Sequence, residues 1–340
     1  MKNYACDYNM GSCPEILEAL CNANSEQFAT YGFDALSDRA KEKIRLAIEN
    51  PEADIYFLIG GTQTNAIALS YLLRPWEGAL CAETGHIAVH EAGAVEAGGH
   101  KVLAVKGNPD GKISIPALRA WLETFALDGS NAHMVQPGAV YISQPTEFGG
   151  VYCREELTEL REICDRYGLR LYADGARLAY ALGSVGNDVS LPVLASLCDA
   201  FYIGGTKCGA LFGEALVFPK KEEPFFTFRK QNGALLAKGW LLGLQFDVLF
   251  TDGLYERLGR NAIDCAGCLR ERLEAKGVSF AVDSPTNQQF LRVKNSELTA
   301  LSQRIGYEMW ELGEESSVIR VCTSWKTNED DLNEIVRAFE

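Results

Sequence analysis

Histidine is scarce in this chain, four residues in 340, and that scarcity limits metal chemistry from the outset. His86 and His90 stand four apart, the spacing of a metal pair on one helix face, yet no third ligand accompanies them. Cys265 and Cys268 form a lone CxxC with no second pair and no neighbouring histidine, so no metal is expected. Basic residues are few as well. The 32 Lys and Arg against 46 Asp and Glu leave a net charge of −14, which argues against nucleic acid as a partner, because phosphates need clustered cations. No apolar run reaches about 18 residues, so no membrane span is expected. A Walker A lysine loop is missing, as is a GxGxxG after a strand, and with them any specific sign of nucleotide binding. The opening MKNYACDYNMGSC lacks the apolar centre of an export signal. Together with eleven cysteines, an odd number, this favours reduced thiols and a cytoplasmic protein over a disulfide framework. Internal repeats and low-complexity segments are absent too.

What is present is ample apolar material, 47% of the chain, enough for a large core and two domains. The most informative stretch is residues 200–218, AFYIGGTKCGALFGEALVF. Two apolar strands flank a turn of small residues that carries Lys207. A lysine in that setting is either a charge that blunts a sheet edge or a desolvated amine. Desolvation lowers a lysine's pKa and makes it a usable nucleophile, the requirement for a Schiff base. Upstream, LYADGAR at 171–177 is a second apolar strand, ending in Asp174, a turn glycine and Arg177. Asp174 suits the N-cap of the next helix. It also suits the carboxylate that holds the proton of a pyridine nitrogen, at the strand ends where ligands of open α/β sheets gather. Lysine and aspartate together point to pyridoxal phosphate.

The chain also resembles a known family, the low-specificity L-threonine aldolases, within the aspartate-aminotransferase-like pyridoxal-phosphate enzymes. The stretches that carry the resemblance are CDYNMGSCPEILEAL, GGTQTNAIAL, ETGHIAVHEAGA, ISQPTEFGGVY, DGARLAYAL, GGTKCGALFGEALVF and VIRVCTSW, in order from residue 6 to residue 325. The resemblance implies an α/β fold: a large domain with a mainly parallel sheet, here 1–252 with its N-terminal arm, and a small α+β domain at 253–340. It implies that Lys207 carries the cofactor, that His86 stacks on its ring, and that His133 is the second active-site histidine. Gln144, where the family often has asparagine, would lie near the ring. Arg177 and Arg320 would hold a substrate carboxylate, with His90 near the substrate. Cys6 and Gly60 stand where many relatives have serine.

Local patterns place these residues on elements. Strand 54–59 runs into Gly60-Gly61-Thr62-Gln63 and an Ala- and Leu-rich helix. Such a turn is a phosphate cradle, because free N–H groups and the helix dipole converge there; it is equally a Thr-capped helix start. Helices are expected from Pro14 onward and over 38–48 and 156–167, and strands at 80–82, 101–105 and 139–144. Residues 219–224 read as a charged turn, and 225–249 as one long helical stretch. Arg229 within it reaches the cofactor phosphate by resemblance, or lies on a solvated face. Three C-terminal strands are expected, at 278–282, 289–293 and 318–323. Arg320, on the last of them, clasps a substrate carboxylate or forms a structural pair with a protein carboxylate.

The activity implied is cleavage of threonine, allo-threonine or related β-hydroxy-α-amino acids to glycine and an aldehyde. His86, His133 or a water they position would take the hydroxyl proton. The alternatives are another reaction of the same cofactor on this fold (transamination, racemisation or β-elimination) or a non-catalytic protein that has kept it. A homo-oligomer, dimer or tetramer, is expected, with Phe225, Phe226 and Phe228 suited to a contact or to the core.

Overall fold

The structure, a computed structural model, describes residues 1–221 and 224–340. Seven strands form the main sheet: β1 (Asp54–Leu58), β2 (Glu77–Ala82), β3 (Val102–Val105), β4 (Gln136–Ser143), β5 (Arg170–Asp174), β6 (Ala200–Gly204) and β7 (Glu214–Phe218). Their order is β1-β7-β6-β5-β4-β2-β3. β7 alone runs against its neighbours; the pairs from β6 to β3 are parallel. The sheet is covered on both faces, so β6 and the antiparallel β7 inside it are buried at every position.

The period of two sorts their side chains. Val140, Ile142, Ala173, Phe201 and Ile203 enter one core. Tyr141, Tyr172 and Tyr202 enter the other, under the helix Gly61–Leu72. Asp174 follows Tyr172 by two and is paired with Ser143, so it ends its strand on the tyrosine face. That alternation sets the site.

A second, antiparallel sheet follows, ordered β10-β11-β9-β8: β8 (Ser279–Phe280), β9 (Gln288–Lys294), β10 (Glu308–Glu311) and β11 (Ser316–Cys322). Leu269, Leu273, Leu332 and Ile335, from helices Leu254–Ala275 and Glu329–Ala338, pack on Leu291, Ile319 and Val321. The N-terminal arm crosses to this sheet. Tyr4 N donates to Gly306 O, and Cys322 N donates to Tyr4 O, both at 2.8 Å. The arm thereby carries Asp7 to the junction of the two sheets.

Three expectations change. The stretch 225–249 is two helices, Phe225–Gln231 and Trp240–Leu249, because Asn232-Gly233 breaks it, with Gly233 at φ +67°. The helix expected from 38 begins at Ala35, where Asp34 accepts from Ser37 N at 2.8 Å. β10 was not expected, since EMWE shows no apolar run. Of the charged turn at 219–224, Glu222 and Glu223 lie outside the described residues.

Candidate active site

Asp174 and Lys207 meet at the carboxyl edge of the main sheet. Gly175 and Gly204 make this possible: a Cβ on Gly175 would stand 1.9 Å from Tyr202 O, and one on Gly204 2.4 Å from Ala176 O. The turn after β6 is fixed on both sides. Gly205 and Thr206 donate their N–H groups to Gly213 O, Tyr255 OH donates to Gly204 O at 3.0 Å, and Tyr180 OH donates to Lys207 O at 2.5 Å. Glu214, buried on β7, accepts from Gly205 N at 3.1 Å; burial pushes its carboxyl up to about 8 against the opposing pull of Thr206 and Lys207. Lys207 itself lies below the usual lysine range. Burial is the first cause and the Arg177 charge the second, partly offset by Asp7, Asp174 and Glu214. It is a desolvated amine.

Four donors converge on Asp174. Tyr202 OH (2.5 Å) and Ala176 N (2.9 Å) donate to Oδ1; Tyr141 OH (2.7 Å) and Asn65 Nδ2 (2.8 Å) donate to Oδ2. Burial alone would raise this carboxyl, but His86, the two phenols and the amide outweigh it and hold it below the ordinary range. An ionised carboxylate at this strand end is what a pyridinium nitrogen requires.

His86 opens a four-residue helix, His86–Val89, and is tied to the same network. Its Nδ1 lies 2.7 Å from Glu91 Oε1, which also accepts from Asn65 Nδ2 at 2.7 Å. Asn65 thus bridges Glu91 and Asp174, while its own Oδ1 accepts from Tyr172 OH at 3.0 Å. Glu91 accepts, so Nδ1 carries the proton and Nε2 is left as the second ring nitrogen. Burial lowers His86, yet Glu91, Asp174 and Glu147 reverse this and leave it above the usual histidine value. Ser143 Oγ donates to Glu147 Oε1 at 2.8 Å. The other oxygens of Glu91 and Glu147 are buried with no hydrogen-bond partner among the described residues, a cost tolerated where a ligand supplies one.

At the opposite end, the helix Gly61–Leu72 starts after Gly60 with no side-chain cap, so its first N–H groups suit a phosphate. Gly61 lies against this network: a Cβ there would stand 3.0 Å from Tyr202 OH. Gln63 folds back on the turn, its Oε1 accepting from Ile59 N at 3.1 Å, while Thr62 is exposed on the first turn of the helix. Arg229 is buried rather than on a solvated face. It donates to Phe57 O at 3.2 Å, lies 4.7 Å from the centre of the Tyr56 ring, and its Nε has no hydrogen-bond partner among the described residues. Burial pushes it down to about 10. These partners belong to β1.

The two arginines expected to hold a carboxylate each already face one, and Arg177 also acts on Lys207 through its charge. Arg177 grips Asp7 with two prongs, Nε to Oδ2 at 2.8 Å and Nη2 to Oδ1 at 3.1 Å, and Asn287 Nδ2 donates to Asp7 at 2.8 Å. Arg320 donates to Gln288 Oε1 at 2.8 Å and to Ala5 O at 3.3 Å, pairs with Glu308, and lies 4.9 Å from the Trp310 ring centre. Its Nε is buried with no hydrogen-bond partner among the described residues. His90, whose ring centre is 5.6 Å from that of His86, borders a cavity of about 340 Å³ with Thr84, Val89, Phe148, Glu308, Met309 and Trp310.

Two expected residues do not join. His133 ends the short turn Asn131–His133 before β4, whereas the site lies beyond Ser143, the far end of an eight-residue strand, roughly 25 Å away at the rise of a strand. Gln144 spends its amide on Tyr152, donating to its O at 3.0 Å and accepting from its N at 2.9 Å. In exchange the structure adds Asn65, Glu91, Tyr141, Glu147, Tyr202 and Asp7. Glu91 was accessible as the carboxylate five residues after His86, and Glu147 sits inside QPTEFGGVY. The tyrosines gave no signal, since an aromatic in an apolar strand reads as core.

A half-buried amine of lowered pKa on one strand turn and an ionised carboxylate on the neighbouring strand end, with an uncapped helix start beside them, fit pyridoxal phosphate: the fold and site define a pyridoxal-phosphate enzyme. Comparison with known proteins gives the family. The chain belongs to the beta-eliminating lyases, whose family model matches residues 5–314. It is 31% identical to a low specificity L-threonine aldolase of Pseudomonas sp., over 98% of this chain and 96% of that one. A solved structure of Leishmania major threonine aldolase superposes with a TM-score of 0.95 at 41% identity, covering 100% of this chain and 98% of the other. A Thermus thermophilus aspartate aminotransferase double mutant shares the fold alone: TM-score 0.71, 16% identity, 99% and 90% covered.

Proposed function

We propose that the protein cleaves the Cα–Cβ bond of threonine, allo-threonine or a related β-hydroxy-α-amino acid, releasing glycine and an aldehyde. The observation that carries this reading is His86 beside the Asp174–Lys207 pair, with Glu91 fixing the proton on Nδ1 and Nε2 left to accept one. Pyridoxal phosphate, when bound, supplies the electron sink that weakens a bond to Cα. Asp174 would hold the ring proton, and Lys207 would supply the amine that carries and releases the cofactor. Gly61, Thr62 and Gln63 would border the phosphate, with Arg229 a further basic group on that side.

Arg320 would bind the α-carboxylate, since its partner Glu308 is open to solvent while the fork of Arg177 is filled by a buried aspartate. Arg177 then acts on Lys207 through its charge. The base for the substrate hydroxyl is His86 Nε2 or a water it holds, with His90 beside the β-substituent. The relatives' names, low specificity L-threonine aldolase in Pseudomonas sp. and threonine aldolase in Leishmania major, support the same reaction.

Two further features belong to this reading. All eleven cysteines are free thiols, which supports a reducing, cytoplasmic setting; among the described residues no helix is long and apolar enough to cross a membrane. A homo-oligomer, a tetramer in our reading, would use Phe226 and Phe33, tilted against each other with ring centres 5.1 Å apart and exposed by 36% and 65%. Phe225 is core, packed on Phe218 and Tyr56, so it takes no part.

The test is aldehyde release. Threonine or allo-threonine should yield acetaldehyde, read by coupling to an alcohol dehydrogenase, without a keto-acid co-substrate. Vigorous amino transfer to a keto acid with no aldehyde from any β-hydroxy amino acid would sink the reading.

A further inference from the structure

Glu308 and Arg320 face each other across the β10–β11 ladder. The guanidinium is buried and held in place by Gln288, Ala5 O and the Trp310 ring. Glu308 has no such hold. It lies on β10, an edge strand, with 42% of its side chain exposed, and it forms one wall of the cavity shared with His90, Phe148 and Trp310. A buried arginine needs an anion, and here the protein supplies one from the solvent side. A second carboxylate arriving at the same fork cannot share it without placing two like charges side by side. Glu308 has a route out to water; the buried Arg320 has none.

We propose that Glu308 occupies the place of the substrate's α-carboxylate on Arg320 and is displaced by it, so that this residue sets the affinity of the site for amino acids. The proposal rests on Arg320 as the carboxylate-binding group. Affinity is then the difference between two carboxylates competing for one fork. The protein keeps its buried cation paired when the site is empty, and only a ligand with a carboxylate on a correctly placed Cα repeats the contact. Glu308 also puts negative charge on the cavity wall, which disfavours substrates with a second, acidic side chain.

The experiment measures glycine binding to the holoenzyme by calorimetry and by titration of the cofactor's absorbance, in wild type, Glu308→Gln, Glu308→Asp and Arg320→Ala. Losing an exposed competitor should tighten glycine roughly threefold in Glu308→Gln, with the gain in threonine turnover carried by KM. Glu308→Asp, whose charge sits on a shorter stem, should fall between that variant and wild type. Without amino acid, Glu308→Gln should melt below wild type, since Arg320 has lost its anion, and glycine should narrow the gap. Glycine binding equal to or weaker than wild type in Glu308→Gln or Glu308→Asp, with Arg320→Ala still losing it, overturns the proposal and leaves the Arg320 assignment standing. Undiminished binding in Arg320→Ala removes that assignment and the proposal with it.

Discussion

Arg177 and Arg320 are the same side chain in two different situations. Both are buried and both face a carboxylate, yet Asp7 is fully enclosed while Glu308 reaches water. Enclosure makes the first pair permanent. Asp7 is held at about 2, where burial alone would raise it, by Arg177, Lys207 and Asn287, and such a carboxylate does not leave for a ligand. The second pair is exchangeable. A fork of donors therefore does not by itself mark a substrate site; the exposure of its present partner decides.

Four substitutions would break or sharpen this contrast. The largest effect is expected from Arg177→Met, which strands Asp7 as a buried charge and should cost about 3–5 kcal/mol of stability in urea unfolding. A loss below about 1 kcal/mol would put the two pairs in one class. Next is Arg320→Ala, for which the main loss should be in binding: glycine affinity for the holoenzyme should fall by roughly thirtyfold or more, since removing one partner of a desolvated pair costs about 2–5 kcal/mol.

The third is Asp7→Asn, read against pH. A carboxylate depressed from 3.8 to about 2 on folding contributes stability that is complete above its unfolded value and lost as pH falls through about 2. This is worth about 2 kcal/mol. Wild type should therefore lose stability between about pH 4 and 2 along a slope that the asparagine variant lacks. The smallest effect is at the far side of the site. Glu91→Gln removes the negative charge beside His86 Nδ1 and should lower the imidazole pKa, followed by NMR, while cofactor binding survives. An unchanged His86 titration would mean that Asp174 and Glu147 set it without Glu91.

The main sheet and the pair Lys207 and Asp174 could be read from sequence because each lies where an apolar strand meets glycine, a local pattern. The carboxylates opposite the arginines could not. Asp7 reaches Arg177 across 170 residues and Glu308 reaches Arg320 from a strand without apolar pattern, and only the folded sheets bring them together. His133 shows the converse failure. Its place just before a strand was legible, but which end of that strand faces the cofactor depends on the direction of β4 among its parallel neighbours. Gln144 stands at the correct end, and its amide is consumed by a backbone contact eight residues away.

The most direct measurement is borohydride reduction of the holoenzyme followed by peptide mass mapping. The pyridoxyl mass should fall on Lys207 alone and vanish in Lys207→Ala, as expected of the half-buried amine beside Asp174. A label on Lys230, Lys238 or any other lysine, with Lys207 unmodified, would contradict the site described here.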